Sequence, residues 1–445
     1  MRIHRRSFIK SAALAAAGSV AGLRPFGAMN ALAQSNTDYK ALVCIFLFGG
    51  NDANNMLVPF DANGYANYAN IRGPLALAQN QLLQLTPAPN FALNPSLPAI
   101  QTLFNNRNAA LVTNVGTLIE PTTKAQFVAG QSLPNNLFSH PDQQLEWQNA
   151  GQNAGSGTGW AGRIADALNP TYNGSSTIPM ITSVDGDTLF CNGLSSTPIS
   201  VTPGNLGNVT CSEGAECSAQ LQTSQALLTF DTGLSLVQAD DTITTNAYTY
   251  SQLLNAATQS AGALQTVFPT TGTLAPQLQQ IAQLIQVRSA FGIRRQIFFC
   301  GFGSFDTHGS QMNQQNALLA EFNAAVAAFY QATQELNVQN NVTTFTMSDF
   351  SRTFQPNSAA GSDHAWGSHH IVMGGAVNGG QMYGTFPTLA LGGPDDSGSN
   401  GRWVPTTSSA QYAATLAQWF GVSASQLGSI FPTIGNFSTV NLGFV

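Results

Sequence analysis

Three apolar runs of strand length, far apart in the chain, each deliver a carboxylate just past their ends. Residues 41–48 read Ala-Leu-Val-Cys-Ile-Phe-Leu-Phe, stop at Gly49-Gly50 and are followed at once by Asn51-Asp52. Residues 295–300 lead through a glycine-rich turn to Phe305-Asp306-Thr307-His308, and residues 342–347 lead into Ser348-Asp349. An unbroken apolar run bounded by glycine is how a strand covered on both faces of a parallel sheet reads. Parallel strands need crossover connections, usually helical. Helical spacing lies where it is needed: Leu274, Leu278, Ile281 and Ile285 follow Thr273, and Leu318, Phe322, Val326 and Phe329 precede the third run. Residues 109–115 form another β-type run, residues 143–150 read as helix, and a last amphipathic helix is expected over 409–420, stopping at Gly421. The alternation predicts an α/β fold with a mainly parallel central sheet. Such sheets collect ligand groups past the carboxyl ends of their strands, so Asp52, Asp306 and Asp349 are expected at one rim.

Charged residues make up only 8% of the chain, so a dense group of them stands out. Arg352, Asp363, His364, His369 and His370 follow closely on Asp349, and they include three of the six histidines. In an extended segment residues two apart face the same way, so Asp306 and His308 can both reach one ion, as oxygen and nitrogen ligands. Asp52, Asp349, Asp363 and His364, with His369 or His370, would complete a mixed set suited to zinc or to Mg, Mn or Ca. Two ions about 4 Å apart could clamp an ester oxygen and its nucleophile. Arg352 is the candidate to hold the oxyanion in a bidentate pair. Ser139, in Ser139-His140-Pro141-Asp142, stands at an expected helix start. There it reads either as an ordinary N-cap or as a nucleophile facing free N–H groups. Each carboxylate and histidine also has a plain structural reading, as a turn cap or a satisfied core residue.

Arg5-Arg6-Ser7-Phe8-Ile9-Lys10, a mildly apolar run over 11–21 and Ala31-Leu32-Ala33 form a twin-arginine export pattern over 1–33, with cleavage expected after Ala33. The expected location is the periplasm or outside the cell, reached through the twin-arginine translocase. The segment holds Arg2, Arg5, Arg6, Lys10 and Arg24 of the 15 basic residues and none of the 21 acidic ones, so the chain from Gln34 carries a formal charge of −11. That charge argues against nucleic acid as a partner. Cys211 and Cys217 bracket a spacing that could close a small disulfide loop, while Cys44 and Cys300 lie in apolar strands as expected buried thiols. Residues 180–270 turn rich in Ser, Thr, Gly and Pro and are expected to form an insertion or cap within a single domain over 34–445.

Phe48-Gly-Gly-Asn-Asp-Ala-Asn-Asn-Met-Leu-Val-Pro59, Ser139-His140, Gly159-Trp160, Phe305-Asp-Thr-His308, Ser348-Asp-Phe-Ser-Arg-Thr353, Gly361-Ser-Asp-His364 and Val404-Pro-Thr-Thr407 appear in an order that resembles one exported family, domain of unknown function 1501. That family is similar to the alkaline phosphatase and sulfatase superfamily. The resemblance implies a three-layer α/β/α fold with a metal site at the carboxyl rim. It implies Asp52, Asp306, His308, Asp349 and His364, or His369, as metal ligands, one or two divalent ions, and Ser139 at the nucleophile position. Phe350 stands where the phosphatases carry a histidine, and no sulfatase nucleophile motif surrounds Ser139. The expected activity is hydrolysis of phosphate or sulfate esters, on small molecules or glycans. The alternative is a non-catalytic periplasmic binding or scaffold protein on the same fold.

Overall fold

The computed structural model describes residues 38–445 except 152–156, 205, 207–213 and 229–232. The export segment 1–33 and Cys211, one end of the expected disulfide loop, lie outside the described residues. The strands are β1 (Lys40–Leu47), β2 (Leu57–Pro59), β3 (Leu83–Gln84), β4 (Phe91–Leu93), β5 (Ala109–Gly116), β6 (Ile181–Ser183), β7 (Ile199–Ser200), β8 (Arg295–Phe302), β9 (Val342–Ser348), β10 (Ser368–Met373), β11 (Met382–Tyr383) and β12 (Thr407–Ser408). Among the described residues, nine of them form one sheet in the order β11-β5-β10-β9-β1-β8-β6-β7, with β12 also on β5, and β2-β4-β3 form a small separate sheet.

The three apolar runs are the middle of the main sheet. β1 pairs in parallel with both β8 and β9, and the register ends level: Leu47 lies opposite Phe302 on one side and Ser348 on the other. The loops carrying Asp52, Asp306 and Asp349 therefore leave the sheet at the same rim. Alternation along β1 splits the core in two. Ala41, Val43, Ile45 and Leu47 pack against helices Pro98–Asn105, Leu274–Gln286 and Gln311–Glu335. Leu42, Cys44 and Phe46 pack against helices Trp160–Tyr172 and Ser409–Phe420 on the opposite face. The result is three layers, with a sheet buried on both sides.

β10 is antiparallel to both β5 and β9, inside an otherwise parallel sheet. Its first residue therefore lies at the carboxyl rim, where β5 also ends, with Ser368 opposite Val115. Residues 180–270 are not all a cap: β6 and β7 extend the sheet beyond β8, and the rest includes helices Gly214–Leu227 and Ser235–Ala261. Cys44, Cys191 and Cys300 are buried free thiols.

Candidate metal centre

Four side chains from three connections meet at the carboxyl rim. Asp306 and His308 follow β8, His364 precedes β10, and His140 opens helix His140–Asn149 beyond β5. Two tight backbone passages bring them together. Gly49, with φ of +104°, lies against the backbone of residue 306, where a Cβ would fall 2.5 Å from its nitrogen. Gly361 lies against the backbone of His308, where a Cβ would fall 2.2 Å from its carbonyl carbon. Oδ1 of Asp306 is 3.4 Å from Nε2 of His140, 3.0 Å from Nε2 of His308 and 3.3 Å from Nε2 of His364. The Nε2 atoms of His308 and His364 are 3.0 Å apart.

The other nitrogen of every ring decides the tautomer. Nδ1 of His140 lies 2.7 Å from Oδ2 of Asp349, Nδ1 of His308 lies 3.0 Å from Oδ1 of Asp363, and Nδ1 of His364 lies 2.7 Å from the carbonyl oxygen of Phe138. All three partners are acceptors, so each Nδ1 carries a proton and donates it. A neutral ring then has its lone pair on Nε2. With all three rings neutral, three lone pairs converge on one carboxylate, and the outer nitrogens are fixed as metal-bound histidines fix them. The three spacings to Oδ1 of Asp306 are close to the roughly 3.3 Å between neighbouring ligands of a zinc ion, and His140, Asp306 and His364 each offer an atom within 4.8 Å of the others. The competing account is a proton-bridged cluster, which needs a doubly protonated ring. Burial, and the neighbouring charges of His140 and Arg352, make His364 a poorer base than usual. His140 is a better base than usual, through its bond to Asp349.

Burial alone would disfavour the ionised form of Asp306, but the hydrogen bond and charge of Arg352 hold its carboxyl below the usual range. Nη1 of Arg352 donates to Oδ1 of Asp306 at 2.7 Å and to the Gly49 carbonyl at 3.2 Å, and Nη2 donates to the Ser362 carbonyl. The Arg352 side chain is fully buried. Both terminal nitrogens are thus committed to Asp306 and to two backbone carbonyls. Arg402 lies on the outer side: Nε donates to the His364 carbonyl at 2.8 Å, and its guanidinium carbon sits 4.4 Å from the centre of the Phe138 ring. Among the described residues, its terminal nitrogens have no hydrogen-bond partner.

The remaining expected residues are spread around this cluster. Asp349 and Asp363 orient histidines from behind. Asp52 is fully buried and bonded to Arg72 and Gln311, apart from the four converging atoms. His369 and His370 are core residues of β10. Nδ1 of His369 accepts the Asn114 N–H at 3.0 Å, and His370 packs on Trp147 and Tyr412. Burial lowers their proton affinities to about 4 and about 3, so both are neutral. Ser139 occupies the N-cap position without capping: its hydroxyl donates to Oδ2 of Asp142 at 2.5 Å. His140 was not singled out from the sequence as a ligand. A usable signal was there, since it starts the helix beyond a strand already recognised at 109–115.

A mainly parallel α/β sheet with a histidine–aspartate cluster at its carboxyl rim defines the class: an α/β protein with a candidate cation centre. The family model described as protein of unknown function (DUF1501) matches residues 39–397, and the chain belongs to that family. No curated protein matches it. Solved structures similar to it include three at low identity. The complex of Ps i-CgsB with k-i-k-neocarrahexaose shares 10% identity over 89% of this chain and 77% of that one, with a TM-score of 0.34. A protein of the alkaline phosphatase superfamily from Vibrio parahaemolyticus shares 9% over 88% and 68%, at 0.34. The PsFucS1 sulfatase from Pseudoalteromonas sp. shares 9% over 81% and 68%, at 0.31. At those scores the likeness carries no weight for the chemistry, which rests on the residues above.

Proposed function

We propose that this chain is an exported, metal-dependent hydrolase of phosphate or sulfate esters, acting on small molecules or glycans. The observation that carries this is the convergence of three Nε2 lone pairs on Asp306, each ring held from behind by an acceptor. His140, Asp306 and His364 would hold one divalent cation with His308 beside them, and a set of three protein ligands leaves the open position that a catalytic zinc site needs. A cation held there polarises an ester oxygen and lowers the pKa of a bound hydroxyl or water. The side chains of Asp306 and His308 are 44% and 47% exposed, so the centre faces outward and a substrate can approach it.

Ser139 lies between two residues tied to the cluster, Phe138 through its carbonyl and His140 through its ring. Its hydroxyl already donates to Asp142, a carboxylate placed to take the proton when the oxygen attacks. Arg402, whose terminal nitrogens have no hydrogen-bond partner among the described residues, would meet an anionic ester. Export through the twin-arginine translocase would place this activity in the periplasm or beyond. Among the described residues, no helix is long and apolar enough to cross a membrane.

The test is turnover of 4-nitrophenyl phosphate and 4-nitrophenyl sulfate by the metal-loaded protein, beside Ser139→Ala and a His308→Ala/His364→Ala double variant. Turnover should vanish in both variants, with metal lost only from the double one. Undiminished turnover in Ser139→Ala would remove the nucleophile, and no turnover of any ester by metal-loaded wild type would favour the binding protein.

A further inference from the structure

In two of the three strand-end carboxylates both oxygens are already engaged by donors, and both side chains are wholly buried. Oδ1 of Asp52 accepts the Asn54 N–H at 3.1 Å, and Oδ2 accepts from Nη2 of Arg72 and Nε2 of Gln311. Neither the Asp52 nor the Arg72 side chain is exposed. Arg72 is held on every side: Nε donates to Oδ1 of Asn55 at 3.2 Å, and Nη1 donates to the carbonyls of Thr353 and Phe354, each at 3.1 Å. Asp349 is equally engaged. Oδ1 accepts the Gly49 N–H at 3.2 Å, and Oδ2 accepts from Nδ1 of His140 at 2.7 Å and from Nε2 of Gln144 at 2.8 Å. Beside Asp349, the buried Phe350 ring lies 4.7 Å from the His364 ring and 4.8 Å from the His140 ring. Carbon therefore fills the flank of the cluster next to that carboxylate.

A guanidinium does not lose its proton inside a protein, so Arg72 is a permanent positive charge. An ion bound by Oδ2 of Asp52 would have to displace it and strand a buried cation without its counter-ion. We propose that the centre takes a single cation, and that Arg72 serves Asp52 as a built-in substitute for a second one. This rests on the metal reading above. The pair also reaches the ligand set. Gln311, bonded to Asp52, accepts the Ser362 hydroxyl on its Oε1, and the Ser362 carbonyl accepts from Arg352, which holds Asp306. Asp52 is thus a positioning residue acting through Gln311, Ser362 and Arg352.

The test is metal stoichiometry and affinity, with no substrate present. Full-length protein exported from its host is stripped with chelator, re-equilibrated with Zn2+ and desalted, and bound zinc is counted by elemental mass spectrometry beside a calorimetric titration. Wild type should bind one equivalent. Asp52→Asn should still bind one, with a loss of affinity below the roughly tenfold that removing a partner bonded directly to a ligand costs. The His308→Ala/His364→Ala variant should bind none. Two equivalents in wild type, one of them lost in Asp52→Asn, would overturn the single-cation inference and leave the metal reading standing. No zinc in wild type would overturn both. Should Asp52→Asn fail to fold, the wild-type count alone still decides between one ion and two.

Discussion

Replacing Asp349 with Asn tests whether the outer nitrogens of the histidines matter. The wild-type carboxylate accepts three hydrogen bonds, from Gly49 N, Nδ1 of His140 and Nε2 of Gln144. An amide has one accepting oxygen and an NH2 group that only donates. If its oxygen faces His140 and Gln144, its NH2 meets the Gly49 N–H and a buried donor goes unpaired, at about 1–3 kcal/mol of stability. If it faces the other way, the NH2 meets Nδ1 of His140, which must then accept. The His140 proton moves to Nε2 and the lone pair aimed at the cluster is lost. Outer-shell substitutions of this kind cost about 10–100-fold in metal affinity, or about 1.4–2.7 kcal/mol. Asp349 is fully buried, so no water can replace it, and Asp349→Asn should fall near 100-fold. The Asp363 side chain is 44% exposed and water can stand in for it, so Asp363→Asn should fall near or below tenfold. Competition for Zn2+ against a chromophoric chelator measures both, with melts of the metal-free proteins to show that each is folded. Equal losses in the two variants, or none in Asp349→Asn, would refute the orienting role.

Metal-free protein should respond to pH in a way that follows from its shifted groups. The His140 proton affinity is raised, so its pair with Asp349 contributes stability fully present below the unfolded value of about 6.5 and lost as pH rises through the folded value. The melting temperature should fall across that window, and less so in Asp349→Asn. Asp306 and Asp363 act with opposite sign. Burial opposes their ionisation, but their partners win and lower both, so their contribution is present above about pH 4 and lost as pH falls through the lowered folded values. Zinc affinity should drop as pH falls through the raised His140 value, because that ring must shed a proton to bind, and a titration series from pH 5.5 to 8, on the order of six points, would show it. Arg402→Gln should weaken inorganic phosphate binding to the zinc-loaded protein by about tenfold with zinc affinity unchanged, as calorimetry would read.

The central sheet was legible because its evidence is local. An apolar run and a carboxylate lie within a few residues of one another for β1, β8 and β9, with glycines between them after β1 and β8, and the level register of the three strands puts the loops together. β10 was not legible, because Ser368-His369-His370 looks like a ligand cluster. In the sheet those rings are carried by a strand covered on both faces, which burial holds neutral. His140 was passed over for a different reason. The hydroxyl beside it drew the attention, although the rule that picked out Asp52, Asp306 and Asp349 applies equally to the connection after β5, which ends at His140.

What the sequence could not show is why three equivalent carboxylates have three roles. By position Asp52, Asp306 and Asp349 are alike, each just beyond a central strand. Their fates are set by what the rest of the chain sends to them. Arg72 and Gln311 come to Asp52 from two helices, His140 and Gln144 come to Asp349 from a third, and Arg352 approaches Asp306 from one side only. The first two are closed by these partners and wholly buried, whereas Asp306 keeps 44% of its side chain exposed and is the one toward which the histidines turn. In a chain with so few charges, a buried carboxylate without a partner would cost more than the fold can bear. Each must therefore find a donor set, and the one left partly open is the one free to meet an ion.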